Sequence, residues 1–159
     1  MKKRTAFLNL WLVCVCTGAA FAADLSESYG VVPAPPVVGE RGIWGAIAYS
    51  QSDDKHGFFW GADKRDEAEE IAQKHCQRAG GIDCNIVTVF RNHRHWDDDD
   101  RSEFPYNHCA ALAVGETGGA GDPAWGAKSA ATRREAEALS IGVCEASGSR
   151  CSIREWVCT

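Results

Sequence analysis

The chain repeats itself. Trp44–Ser50 (WGAIAYS) is echoed 65 residues later by Cys109–Gly115 (CAALAVG), and at the same offset Trp60-Gly61 falls on Trp125-Gly126. A helical pattern and a cysteine pair follow each copy. Such doubling points to two copies of one small motif packed together, not to a single-pass enzyme fold.

In the first copy, Ile43–Ser50 alternates and predicts a strand, with Gln51–Lys55 as a turn and His56–Ala62 as its hairpin partner. Arg65–Ala79 predicts a helix, because Ala68, Ile71, Ala72, His75, Cys76 and Ala79 recur at three-to-four spacing and Gly80-Gly81 supplies a stop. Asp63 and Asp66 are the candidate caps at its start. Cys84–Arg91 is rich in β-branched residues and closes the unit as a strand.

The second copy keeps the order. Asn107–Val114 and Ala124–Ala130 predict strands, and Thr132–Ala146 a helix opened by a Thr132/Glu135 capping box; Cys151–Cys158 is the last strand. Gly142 inside that helix costs about 1 kcal/mol against alanine, which suggests close packing there. Trp44, Trp60 and Trp125, each followed by glycine, read as core positions. The expected class is α+β: two pseudo-symmetric ββαβ repeats in a disulfide-stabilised antiparallel or mixed sheet with helices on one face.

The N-terminus has the form of an export signal. Lys2, Lys3 and Arg4 precede an apolar run, and Ala20-Phe21-Ala22 is a small-x-small cleavage site, giving residues 1–22 as signal peptide. Residues 23–41 form a Pro-containing, aperiodic lead-in, expected to be flexible. Residues 42–159 then make one domain, with repeats at 43–91 and 107–158 joined by an acidic linker at 92–106.

Six cysteines remain after cleavage, an even number that suits three disulfides in the periplasm or outside the cell. The pairing that respects the repeat is Cys76–Cys84, Cys144–Cys151 and Cys109–Cys158. Losing Lys2, Lys3 and Arg4 leaves 14 basic side chains against 22 acidic ones, a formal charge near −8. That balance argues against a nucleic-acid partner, which needs clustered cations. With the signal gone, no membrane association is expected either.

The linker, Asn92–Tyr106 (NHRHWDDDDRSEFPY), carries the strongest local signal for function. Its simplest reading is a solvated loop whose like charges resist compaction. Trp96 with Asp97, Asp98, Asp99 and Asp100 also makes a candidate partner-binding patch. His93, His95 and Asp97 offer imidazole and carboxylate donors for a divalent ion, although the spacing fits no calcium loop. No nucleophile constellation appears: Ser50, Ser140 and Ser147 lack an elbow motif, and His56, His75 and His108 have no free cysteine to activate. No cofactor is implied.

These residues together resemble the small secreted bacterial family catalogued as domain of unknown function 4189. The resemblance rests on Trp44-Gly45-Ala46-Ile47-Ala48, Gly61, the helix to Cys76, and Cys84. It is closer in Asn107, Cys109–Gly115, Trp125-Gly126, the helix through Ala136 to Cys144, Cys151 and Cys158. It implies the fold and export, and carries over no catalytic residues; the Asp97–Asp100 run departs from it.

The leading expectation is therefore an exported, non-catalytic module that binds another protein, for instance a periplasmic inhibitor or immunity-type protein. The competing classes are a small exported enzyme or metal-dependent factor using the His93/His95/Asp97 region, and a host-directed secreted factor.

Overall fold

The computed structural model describes residues 41–94, 100–116 and 121–159. The signal peptide, nearly all of the lead-in, His95, Trp96 and Asp97–Asp99 lie outside the described residues.

In the first repeat, β1 (Ile43–Ser50) and β2 (Lys55–Ala62) form a hairpin, α1 (Arg65–Arg78) crosses back, and β3 (Asn85–Asn92) pairs on the free side of β1. In the second, β4 (Cys109–Gly115), β5 (Trp125–Ala130), α2 (Arg133–Glu145) and β6 (Cys151–Cys158) repeat that path. The strand orders are β2-β1-β3 and β5-β4-β6, all antiparallel. The first strand of each repeat is thus the central one.

The expected antiparallel sheet with a helix on one face is present twice. Side chains alternate across β1 with period two. Trp44, Ala46 and Ala48 face α1, where they pack on Ala68, Ala72 and Cys76. Ile47 and Tyr49 point the other way and meet Ala110, Leu112 and Val114 of β4. On the far side of β4, Ala111 packs on Ala136 of α2. The layers run α1, first sheet, second sheet, α2. Burial on both faces explains why β1 as far as Tyr49, and all of β4, lack charged residues and polar alternation.

All three disulfides form as the repeat requires: Cys76–Cys84, Cys144–Cys151 and Cys109–Cys158. The repeat extends to an irregularity. The pairing of β1 with β3 shifts between Ile47 and Ala48, and that of β4 with β6 shifts at the equivalent pair, Leu112 and Ala113.

Equivalence breaks where the sequence seemed clearest. Ala48 pairs with Gly57 and Ala113 with Gly126, so Gly57, not Gly61, is the counterpart of Gly126. At both positions the helix lies on the strand: an added Cβ would sit 2.1 Å from Cys76 N at Gly57 and 2.4 Å from Ser140 O at Gly126. Gly61 instead has φ +97°, in the left-handed region glycine favours, at a bulge that β5 lacks. Trp60 and Trp125 are therefore not equivalent, and neither is core. Trp60 is 55% and Trp125 36% exposed, whereas Trp44 is 1% exposed.

The helices also start differently. Thr132 accepts from Glu135 N and the Glu135 carboxylate accepts from Thr132 N, completing the expected capping box on α2. The N-cap of α1 is Lys64, without a side-chain cap bond; neither Asp63 nor Asp66 takes that role.

Candidate binding surface

Beyond β3 the chain enters the linker, and its fixed point is Arg91. Arg91 pairs in register with Trp44, and its side chain is buried. The guanidinium carbon lies 4.0 Å from the Tyr106 ring centroid, 5.3 Å from Trp44 and 5.4 Å from Phe104. Nη1 donates to Asp100 Oδ2 at 2.5 Å and to Arg41 O at 3.0 Å; Nη2 donates to Ser102 Oγ at 2.8 Å, with Asp100 Oδ1 at 3.2 Å and Phe104 O also in its shell.

Asp100 is as deeply buried as its partner. The hydrogen bonds from Arg91, joined by those from Ser102, hold its carboxyl well below the usual carboxylate range. Backbone at Arg101 (φ 55°) and Glu103 (φ 62°) turns left-handed to wrap the segment around the guanidinium.

This corrects one member of the acidic patch. Asp100 does not face a partner, because a guanidinium enclosed by three aromatic rings needs a buried counter-charge, and Asp100 is that charge. Trp96 and Asp97–Asp99 lie outside the described residues; the residues on either side of them make ion pairs, one on the surface and one buried. Arg94 pairs with Asp63, next to the end of β2, and Asp100 is held by Arg91. His93 stacks on Tyr106 with ring centroids 3.4 Å apart.

The same end of the first sheet carries exposed aromatics. Along β2, Gly57 and Phe59 face α1, so His56, Phe58 and Trp60 share the opposite face. Phe58 and Trp60 are both substantially exposed, and Trp60 lies close in sequence to Asp63, the residue that holds Arg94. His56 Nε2 sits 3.3 Å from Glu155 Oε2 of β6.

The other candidate groups have structural work. His75 Nδ1 donates to Phe58 O at 2.8 Å, since a carbonyl can only accept. Ser140 Oγ accepts from Lys128 N at 3.0 Å and lies 2.7 Å from Ala136 O and 2.8 Å from Ala111 O, tying α2 to β4 and β5. Ser50 donates to Asp53 and accepts from Asp83 N. Ser147 donates to Cys144 O. Among the described residues no group of three or more His, Cys, Asp or Glu is placed to hold a metal ion, and no helix is long and apolar enough to cross a membrane.

The Arg91–Asp100 pair escaped sequence reasoning. Its one trace is that the strand end of the first repeat bears arginine where the second bears Cys158.

The family described as Domain of unknown function (DUF4189) matches this chain over residues 44–95 and 101–158. No curated protein matches it. Among solved structures, the NMR structure of Rv1813c from Mycobacterium tuberculosis is similar, with 25% sequence identity, a TM-score of 0.47, and coverage of 80% of this chain and 81% of that one.

Proposed function

The chain belongs to the DUF4189 family, and from that premise we propose that it is an exported, non-catalytic module that binds another protein, as a periplasmic inhibitor or immunity-type protein does. The observation that carries this reading is the exposed Phe58–Trp60 pair on β2, close in sequence to the Asp63 that pairs with Arg94. Large aromatics are the residues that most often anchor interfaces. Carboxylates such as those of the Asp97–Asp99 run steer and select a basic partner. The export-type N-terminus and three disulfides support an oxidising compartment as the place of action.

The test compares capture by the mature, oxidised protein with capture by two variants, Trp60→Ala and Asp97→Lys/Asp98→Lys/Asp99→Lys. A true partner is bound by the wild type in a salt-sensitive way. Trp60→Ala weakens it by about 2 kcal/mol or more, as for an interface hot spot, and charge reversal slows association. A partner held equally well by all three proteins overturns the assignment of this surface.

A further inference from the structure

The first repeat carries one strand residue that the motif does not need. Gly45 pairs with Trp60 and the next pair is Trp44 with Ala62, so Gly61 is left over. In the second repeat the same pairs are Ala110 with Ser129 and Cys109 with Ala130, with no residue between. The positional counterpart of Trp60 is therefore Ser129, a half-buried serine whose Oγ accepts from Asn107 Nδ2 at 3.1 Å. One repeat has a small polar side chain in a regular strand. The other has an exposed tryptophan followed by an insertion.

The insertion acts on Trp60, because the strand is held on both sides of it. Before it, Phe59 packs against the α1 core and the carbonyl of Phe58 accepts from His75 Nδ1 at 2.8 Å. After it, Ala62 is buried in that same core with Trp44. The extra length is taken up between them, at Trp60 and Gly61. A bulge of this kind bends its strand, sharpens the twist and re-aims a side chain. Glycine serves backbone conformation there and not lack of room: φ is +97°, and an added Cβ would meet nothing within 4 Å. Gly142 of α2 also has nothing within 4 Å of an added Cβ, so the close packing expected there is absent, but its backbone is helical and aims no side chain.

The neighbouring strands set the direction in which Trp60 turns. It shares a face of β2 with His56, which reaches across to Glu155 of the second sheet. On that face an added Cβ at Gly45 would run into the Phe90 ring, so the place beside Trp60 is already filled. Phe90 is fully buried and the interior is close-packed. A tryptophan ring at this position has to leave the sandwich, and Trp60 does.

We propose, on the reading of Trp60 as an interface anchor, that Gly61 is the positioning residue of the binding surface: its bulge holds the Trp60 ring outside the sandwich in the pose a partner engages, without touching the partner itself. Fixing the ring beforehand spares the complex the entropy of ordering it.

The test is a double-mutant cycle between positions 60 and 61 in the mature, oxidised chain, read against the partner that the wild type captures. Gly61→Ala puts an L-residue at φ +97° with room for its methyl, and is expected to weaken binding about tenfold. Gly61→D-Ala, introduced by peptide ligation at Cys76, adds the same methyl but favours positive φ, and should bind within about twofold of wild type. In the Trp60→Ala background Gly61→Ala should cause no further loss, a result that general damage to the fold would not give. Broadening of the Trp60 indole N–H signal by a neutral gadolinium chelate, assigned with Trp60→Phe, should fall in Gly61→Ala and recover in Gly61→D-Ala. Full binding by Gly61→Ala, an equal loss with and without Trp60, or an indole signal that does not respond overturns the proposal while leaving the partner-binding surface in place. A partner indifferent to Trp60→Ala overturns that surface, and the proposal with it.

Discussion

The two repeats close their sheets by different chemistry at the same place. In the second, Cys109 and Cys158 face each other in register and are joined covalently. In the first, the same register position holds Trp44 and Arg91, and closure is by a ring stack, a guanidinium and the carboxylate of Asp100. The difference is one of reach. The disulfide fixes two neighbouring strands and nothing else. Arg91 also gathers Arg41, Ser102 and Phe104, and so fastens the linker to the sheet it leaves. The covalent closure joins two adjacent strands, whereas the ionic one also holds the segment that follows β3.

Breaking each closure gives the largest effects. Cys109→Ser/Cys158→Ser removes a cross-link of sequence separation 49 and is expected to cost about 4 kcal/mol by loop entropy, against about 2.5 for either local bridge. Arg91→Met leaves a buried carboxylate without its cation, at about 3–5 kcal/mol.

Acid separates the two. Because the folded carboxyl of Asp100 titrates well below its unfolded value, its contribution is complete above the ordinary aspartate pKa of about 4 and is lost as pH falls further. Urea unfolding at pH 7 and pH 3 should therefore show the Arg91→Met penalty shrinking in acid, as the orphaned carboxyl becomes protonated. The penalty for losing the disulfide should not change. Equal pH dependence in the two variants would remove Asp100 as the cause.

The order of elements, the helices and all three bridges were legible because each leaves a local trace: alternation, three-to-four spacing, and cysteines at matched points. Division into two sheets left none. β1 and β4 are covered on both faces, so the polar alternation that would mark an inner and an outer side is missing. The Trp-Gly match at residues 60 and 125 misled for a definite reason. The bulge at Gly61 and the unequal hairpin turns shift β2 against β5, so equal spacing in sequence is not equal position in the sheet. Asp100 was unreadable within a run of four aspartates, because what distinguishes it is an arginine nine residues earlier.

Where the repeats agree, substitutions should agree too. Gly57→Ala and Gly126→Ala each drive a methyl into helix backbone, and each is expected to cost about 1–3 kcal/mol as overpacking. Matched losses in thermal unfolding would establish the helix–strand contact as the shared element of the motif. A tolerated alanine at either glycine would show that the two helices sit at different heights on their strands.

The smallest effects test whether the repeats are interchangeable. Thr132 and Glu135 cap α2, while the corresponding residues of α1 are Lys64 and Glu67. The first repeat thus already has the acidic half of a capping box and lacks only the hydroxyl. Thr132→Ala should cost about 1 kcal/mol, because an amide at the start of α2 loses its acceptor. Lys64→Thr should return a similar amount, since its backbone is already extended (φ −133°, ψ 147°), as at Thr132 (φ −127°, ψ 153°). If Lys64→Thr stabilises as much as Thr132→Ala destabilises, measured by the shift in urea midpoint at unchanged slope, the helix starts are equivalent in geometry and differ only in side chain. If it gives nothing, Lys64 holds its helix start by a contact the second repeat does not have.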